Sequence, residues 1–395
     1  MREKNNLEFT LKHKTILALA VPLLFFILLE ISLRLLRIEK LFLSDAQSIK
    51  LEMPAWMLKD ANLARRATRI DEKKANIDWL NMFESGDGYR VRLIPGIERS
   101  VTNTFSLLDY DRKNKYLVKA NSLGFRGPEL TRIKPLNTYR ILVFGDSSSY
   151  GWGVNQSEHF SPLLQRKLGE KIKSMKFEVG NFAIPGDSSE YGSLIVEKYL
   201  PQFEVDLVIL GFGANDAKKT YINHMTQVEA FRTNSNIQGA KRFFSNFIIY
   251  RLMENLLLRQ HADELPKRKV TAVREPRYTA NLAKMADLAK QNGADTLLLN
   301  LCTPGNYARA ARKLSEENNL LHFNGQLHLL NSIPEIQRGG LYPQLIEDMR
   351  ENYLSELNKN STLYVTSDGC HPNKLGHEIV SDQLAQIIGD HLSKN

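Results

Sequence analysis

Tyr139-Arg-Ile-Leu-Val-Phe-Gly145-Asp146-Ser147 is a short apolar run that breaks straight into a glycine-led turn carrying a hydroxyl. A continuous apolar run bounded by turn residues reads as a strand buried on both faces. A serine at the carboxyl end of such a strand, on the turn into a helix, is where α/β enzymes expose a nucleophile. The tripeptide recurs at Gly186-Asp187-Ser188, so the surroundings of each copy have to decide which one is chemical.

Outward from this stretch the same pattern repeats. Apolar runs follow at Phe177–Asn181, Asp206–Gly211 and Asp295–Leu301, with a weaker one at Leu320–Phe323. Amphipathic helical patterns accompany them at Ser157–Lys173, Ser188–Leu200, Tyr278–Gln291 and Lys374–Leu392. Strands alternating with helices predict an α/β fold: a three-layer αβα, doubly wound, five-stranded parallel sheet with right-handed crossovers. It is expected to occupy residues 139–395, as the catalytic domain. Thr220–Lys269 is longer than one crossover helix requires. Insertions near 220–270 and 330–360 are therefore expected to shape the mouth of a cleft.

Upstream, residues 37–138 are polar and weakly periodic. Leu58–Lys74 is helix-like and charged, Tyr89-Arg-Val-Arg-Leu-Ile-Pro-Gly96 reads as a strand and turn, and Asn121-Ser-Leu-Gly-Phe-Arg-Gly-Pro-Glu129 is a turn-rich loop. This region is expected to be an extension packed on, or linking to, the main domain.

Thr15 to Leu29 is uninterrupted apolar sequence that continues to Leu36 through Glu30 and Arg34. About 20 residues of helix span a bilayer core, so 15–36 is just long enough. Pro22 is tolerable there, and Glu30 and Arg34, four apart, can pair on one face. A cleaved signal peptide would have a shorter apolar region and a small-residue cleavage site, whereas this run leads into Arg37-Ile-Glu-Lys-Leu-Phe-Leu. No polar face exists between Thr15 and Leu29, which disfavours a buried helix of a soluble domain. Arg2, Lys4, Lys12 and Lys14 precede the span and Arg37 and Lys40 follow it. That bias predicts a single-pass signal anchor, with residues 1–14 cytoplasmic and the bulk of the chain periplasmic or extracellular.

The 395 residues carry a net charge of +9, with 43% hydrophobic and 25% charged residues. That composition is ordinary for a globular chain and argues against wholesale disorder. Lys and Arg are interleaved with acids and no nucleic-acid motif stands out, so no nucleic-acid partner is expected. Cys302 and Cys370 are the two cysteines. They exclude a disulfide scaffold and a Cys-x-x-Cys zinc site, and are compatible with one disulfide in an oxidising compartment or with two buried thiols. No metal and no cofactor is expected.

Three further elements fall where the sheet would bring them to the same edge. Asn181-Phe-Ala-Ile-Pro-Gly186 follows the second strand, and its glycine lets a backbone N–H approach a ligand closely. Gly211-Phe-Gly-Ala-Asn215-Asp216 follows the third strand, and Asp368-Gly-Cys-His371-Pro372-Asn373 precedes the last helix. A serine hydroxyl needs an adjacent base, which His supplies at a useful pKa. A carboxylate on the other imidazole nitrogen fixes its tautomer, and Asp three residues before His can reach back to do so. A tetrahedral oxyanion is best met by preorganised donors, here the Ser147 and Gly186 N–H groups and the Asn215 amide.

In order and spacing, Gly-Asp-Ser147, Gly186, Gly-x-Asn215-Asp and Asp368-x-x-His371-Pro resemble the four blocks of the SGNH (GDSL-like) hydrolase superfamily, from about Tyr139 to the C-terminus. The resemblance implies a flavodoxin-like sheet and ester chemistry. It also implies Ser147 as nucleophile, His371 as base, Asp368 as its orienter, and Gly186 with Asn215 in the oxyanion hole. Membrane-anchored bacterial-type members with an Asn-x-x-Gly-Phe-Arg-Gly segment before the catalytic block look similar and act in envelope or exopolysaccharide contexts.

Only Ser147 leaves a glycine block for Gly186 to fill, which makes Ser188 part of the oxyanion loop instead. Asp146 and Ser148 are expected to hold their turn, Asp216 to stabilise its loop, and Tyr150 and Trp152 to pack. The resulting expectation is a serine esterase acting on O-acyl, foremost acetyl, esters of envelope or extracellular carbohydrate. The alternatives are an O-acetyltransferase on the same substrates, a lipid-directed esterase, and a non-catalytic scaffold in polysaccharide assembly.

Overall fold

The structure is a computed structural model that describes residues 11–36, 82–86, 89–102, 115–220, 223–233, 244, 247–250, 252–253, 269–344, 347, 363–365 and 369–394. The chain forms two compact units, Met1–Ala67 with Asn236–Leu265, and Thr68–Ser235 with Pro266–Asn395.

The first unit contains α1 (Leu11–Leu35), whose segment Ile16–Leu35 is long and apolar enough to cross a membrane. Its apolar side chains point outward, as at Leu19 and Phe25. Arg34 Nε donates to Glu30 Oε1 over 2.9 Å, one turn away. Glu30 also accepts from the backbone N–H groups of Ile248 and Ile249 at 3.0 and 3.3 Å, which buries it. Phe26 meets Phe247 edge-on beside this contact.

The second unit opens with two small antiparallel pairs, β1 (Phe83–Ser85) with β2 (Val91–Leu93) and β3 (Glu98–Thr102) with β4 (Lys115–Lys119). The strand-and-turn expected at 89–96 is β2 followed by a turn at Gly96, φ +70°. In the 121–129 loop Asn121 Oδ1 accepts from Leu123 and Phe125 N–H at 3.1 and 3.0 Å. This curls the chain so that Phe125 enters an aromatic cluster with Phe182 and Tyr199 at centroid distances of 4.5 and 5.0 Å. Leu58–Lys74 lies outside the described residues.

The main sheet is built from β5 (Thr138–Gly145), β6 (Lys176–Asn181), β7 (Leu207–Gly211), β10 (Asp295–Leu299) and β11 (Leu321–Phe323). Their order is β11-β10-β7-β5-β6, all parallel. In sheet-strand sequence this is 2-1-3-4-5, the flavodoxin-like doubly wound order, whose ligand crevice opens at the carboxyl ends where the winding reverses. That reversal falls between β5 and β7, where Gly145 is in register with Gly211.

Alternation sorts the β5 side chains. Ile141 and Val143 join Leu207 and Ile209 in a core with α3 (Phe160–Lys171) and α10 (Lys374–Leu392). Phe144, on the other face, meets Phe182, and α4 (Ser189–Tyr199) and α7 (Glu275–Gln291) cover that side. Each fully buried Leu, Ile, Val or Phe stabilises this arrangement by about 1.5–3 kcal/mol.

Short elements lead into and out of this core. α2 (Ser147–Tyr150) follows β5, and α5 (Ala214–Ala217) follows β7. β8 (Lys219–Thr220) and β9 (Val270–Thr271) pair antiparallel across the base of the expected 220–270 excursion, with α6 (His224–Thr233) inside it. α8 (Gly305–Asn318) is a helix the apolar pattern did not announce. It is anchored only by Tyr307, Ala311 and Leu314 on an otherwise polar surface. The stretch from Leu330 begins inside α9 (Gly325–Gln337), which packs on α10.

Candidate active site

β5 ends at Gly145, where a side chain would strike Ser149 and the Gly211 carbonyl. Asp146 N–H donates to Gly211 O over 3.1 Å. Asp146 then caps α2: its Oδ1 accepts from Ser148 N–H at 2.9 Å and Ser148 Oγ at 2.6 Å. Gly151, φ +83°, stops the helix after one turn. The turn buries Ser148, Ser149 and Tyr150 and leaves Ser147 half-buried. Asp146 and Ser148 therefore hold the turn, as expected.

Ser147 Oγ lies 2.8 Å from His371 Nε2, although 224 positions separate them. Several bonds fix the histidine loop. Val365 N–H donates to His371 O at 2.7 Å, Pro372 bridges to Tyr364, and Asn373 caps α10 by accepting from Gly376 N–H. Cys370, next to His371, is disulfide-bonded to Cys302 on the loop after β10, with Cα atoms 4.6 Å apart. An imidazole whose Nε2 accepts from a hydroxyl carries its proton on Nδ1. Asp368, the expected orienter, lies outside the described residues. The Trp152 ring is 6.4 Å from the imidazole, and Tyr150 is fully buried.

Gly186 is the third residue of a turn closed by Asp187 N–H donating to Ile184 O at 3.1 Å. Pro185 before it and φ +83° at Gly186 make this the type II pattern. Asn215 is buried on α5 and donates one Nδ2 hydrogen to Asp187 O at 2.9 Å, keeping a second. The N–H groups of Ser147 and Gly186 have no acceptor among the described residues. Ser147, Asn215 and His371 thus come together on one cavity of about 580 Å³. Gly186 joins them through the Asp187–Asn215 bond. Lys218, Thr303, Asn324 and Gln326 give this cavity polar walls, and Pro304, Ala308, Leu327 and Leu330 an apolar side.

The second tripeptide has a different setting. Ser188 is fully buried at the start of α4, with Oγ 2.8 Å from His224 Nδ1. Burial pushes His224 down to about 3, so it stays neutral. Asp216 accepts from Ser189 N–H at 3.1 Å and from Ser189 Oγ at 2.5 Å, which ties α5 to the start of α4. Burial raises its carboxyl to about 7. Burial raises Asp146 as well.

Sequence reasoning passed over two arginines. Arg90 Nε donates to Asp187 Oδ1 at 2.8 Å and its Nη2 to Pro185 O. Arg126, fully buried, donates to the carbonyls of Gly151 at 2.5 Å and Val154 at 2.7 Å, just after the serine turn. The signal for Arg126 was its place in the Asn-x-x-Gly-Phe-Arg-Gly segment; for Arg90 there was none. Among the described residues no group of three or more His, Cys, Asp or Glu is placed to hold a metal ion.

The sequence profile of the GDSL-like Lipase/Acylhydrolase family matches residues 143–379. No curated protein matches the chain. Similar solved structures include the psychrotrophic esterase EstA from Pseudoalteromonas sp., at 18% identity over 65% of this chain and 99% of that chain, TM-score 0.39. TesA, at 18% identity, covers 63% of this chain and 97% of its own, TM-score 0.38. Axe2, an acetylxylan esterase from Geobacillus stearothermophilus, is 15% identical over 64% of this chain and 94% of its own, TM-score 0.38.

Proposed function

The chain belongs to the GDSL-like lipase/acylhydrolase family and is an ester hydrolase; we propose that it removes or transfers O-acyl groups, acetyl foremost, on carbohydrate outside the cytoplasm. The observation that carries this reading is the 2.8 Å contact between Ser147 Oγ and His371 Nε2 at the wall of an open cavity. In the proposed sequence His371 Nε2 takes the Ser147 proton as Oγ attacks the ester carbonyl carbon. The carbonyl π pair moves onto oxygen, where the Ser147 and Gly186 N–H groups and the Asn215 amide stabilise it. Collapse breaks the ester C–O bond, and the leaving alkoxide takes the proton from Nε2. Water, or an acceptor hydroxyl, then attacks the acyl-serine by the same steps reversed. Asp368 holds the Nδ1 proton; support for it is its spacing of three residues from His371.

Two features support an extracytoplasmic site. α1 has the length and apolarity of a signal anchor, and disulfides such as Cys302–Cys370 persist in oxidising compartments. On this reading residues 1–14 stay in the cytoplasm, 15–36 span the membrane, and 37–138 are an extension to the catalytic domain. A lipid-directed reading has one observation in its favour, the exposed Leu327 and Leu330 on the cavity's apolar side.

Hydrolysis of p-nitrophenyl acetate and fluorophosphonate labelling test the chemistry. Both are expected in the full chain and absent from Ser147→Ala and His371→Ala, with kcat down by at least about 10⁴-fold. Labelling retained in Ser147→Ala sinks the assignment. A preference for short over long acyl esters favours carbohydrate deacylation, and the opposite preference favours lipid. Acetate release from acetylated glycans, with Ser147→Ala as control, identifies the acyl group.

A further inference from the structure

The donors of the oxyanion hole do not stand on family residues alone. The family profile begins at residue 143, yet a side chain from far upstream reaches the Gly186 turn. Arg90 immediately precedes β2, beside Tyr89, whose ring is buried against Phe125 and Tyr199 with its hydroxyl 3.1 Å from Tyr199 Oη. That aromatic anchor leaves the Arg90 guanidinium pressed on the turn. Nε donates to Asp187 Oδ1 at 2.8 Å, Nη2 donates to Pro185 O, and a Cβ added at Gly186 would sit 3.0 Å from Nη2. Both members of the ion pair are buried, Arg90 at 5% exposure and Asp187 at 1%. The next carbonyl in the turn, Asp187 O, accepts from Asn215 Nδ2 at 2.9 Å. One guanidinium therefore grips the residues on both sides of Gly186, and the far side of that grip holds the Asn215 amide.

A buried ion pair is weak evidence for stability, because desolvation of the two charges offsets much of their attraction. Its geometry is more telling than its energy. A planar guanidinium fixes two acceptors at once, which a lysine ammonium does not. Here the two acceptors flank the one residue whose N–H has to point at a developing oxyanion. Donors contribute most when they need no reorganisation at the moment of reaction.

We propose that Arg90 is a positioning residue for the oxyanion hole, holding the Pro185–Asp187 turn so that the Gly186 N–H and the Asn215 amide face the ester oxygen before substrate arrives. This rests on the reading of Gly186 and Asn215 as oxyanion donors. Arg90 acts through this turn and is not among the residues that line the cavity. The extension is thereby a part of the active site, and an isolated 139–395 fragment lacks a residue its chemistry uses.

The test compares p-nitrophenyl acetate kinetics of the full chain with Arg90→Ala and Arg90→Lys. Arg140→Gln is the control, since Arg140 is equally buried and paired to Glu178 at the amino end of β5, away from the site. Arg90→Ala is expected to lower kcat about 10- to 100-fold, the range between a misplaced and a missing donor, with KM changed less than about threefold. Arg90→Lys is expected to stay closer to Arg90→Ala than to the native chain, and added guanidinium to restore part of the Arg90→Ala rate. Arg140→Gln is expected to lose thermal stability and keep kcat. Should Arg90→Ala not fold, Arg90→Lys, which keeps the buried charge but does not fix both acceptors at once, carries the same kcat expectation. Native kcat in folded Arg90→Ala or, failing that, in Arg90→Lys overturns the proposal, as does an Arg140→Gln chain that loses kcat as Arg90→Ala does. A native chain that neither turns over ester nor takes a fluorophosphonate overturns the hydrolase reading, and this inference with it.

Discussion

Ser147 and Ser188 carry the same tripeptide and each faces a histidine, so burial is what distinguishes them. Ser147 is half-buried on the cavity wall, whereas Ser188 is sealed against a histidine whose charged form is suppressed by its surroundings. A base held neutral down to pH about 3, with no room for an ester, supports a helix start rather than an acyl transfer. Ser188→Ala is therefore expected to keep esterase turnover within about threefold while lowering stability by about 1 kcal/mol, through loss of its buried hydrogen bond with His224. Loss of turnover with a native fold would return the assignment to the second copy. Asp368→Asn is expected to lower kcat about 10⁴-fold with little change in KM, because on the proposed mechanism Asp368 fixes the imidazole tautomer. An Asp368→Asn chain with native kcat places the orienting carboxylate elsewhere.

At the scale of elements, the loop between β10 and α8 and the loop before α10 are joined by Cys302–Cys370 directly beside His371. The bridge closes a loop across 68 positions, which the chain-entropy treatment equates with about 4 kcal/mol of stabilisation. Replacing both cysteines by serine is expected to lower the unfolding free energy by about 2–4 kcal/mol in denaturant titrations. The same variant is expected to lower kcat more than it raises KM, since the loosened loop carries His371, the proposed base. Two thiols that alkylate freely in the oxidised native protein would rule the bridge out. Arg126 works in the same way on the other side: it donates to carbonyls that follow α2 and has its face against Tyr150 at 5.0 Å.

For the molecule as a whole, buried histidines set the response to acid. His377 is fully buried on α10, its Nδ1 accepting from Phe160 N–H at 3.3 Å, and burial holds it down at about 3. Between pH 6.5 and about 3 the unfolded chain binds a proton there that the folded chain refuses, so this histidine makes stability rise with pH and fall on acidification. Asp187 and Asp216, raised by burial to about 6 and about 7, act with the opposite sign above pH 3.8, since there the folded chain holds the protons. The clean measurement is thus a difference. His377→Asn is expected to reduce the slope of unfolding free energy against pH by about 1.4 kcal/mol per unit between pH 6 and 4. Equal slopes in the two proteins would mean that His377 titrates normally.

Much of this molecule is legible in order along the chain. The five strand runs, the turn residues after them and the sequence Ser147, Gly186, Asn215, His371 are written in neighbours a few positions apart. Apolar period and glycine turns act over that range, so the parallel sheet followed from residue pattern, while the preference for Ser147 over Ser188 rested on the block order of the family the sequence resembles. α8 escaped notice because three apolar anchors in fourteen residues make a faint stripe. The tertiary structure alone decided which cysteines pair, that Ser188 is sealed with His224, and that Arg90 reaches Asp187 across 97 positions. Contacts of that kind depend on the path of the whole backbone. A lone arginine in a polar stretch looks the same in sequence whether it ends in solvent or clamped against a buried turn.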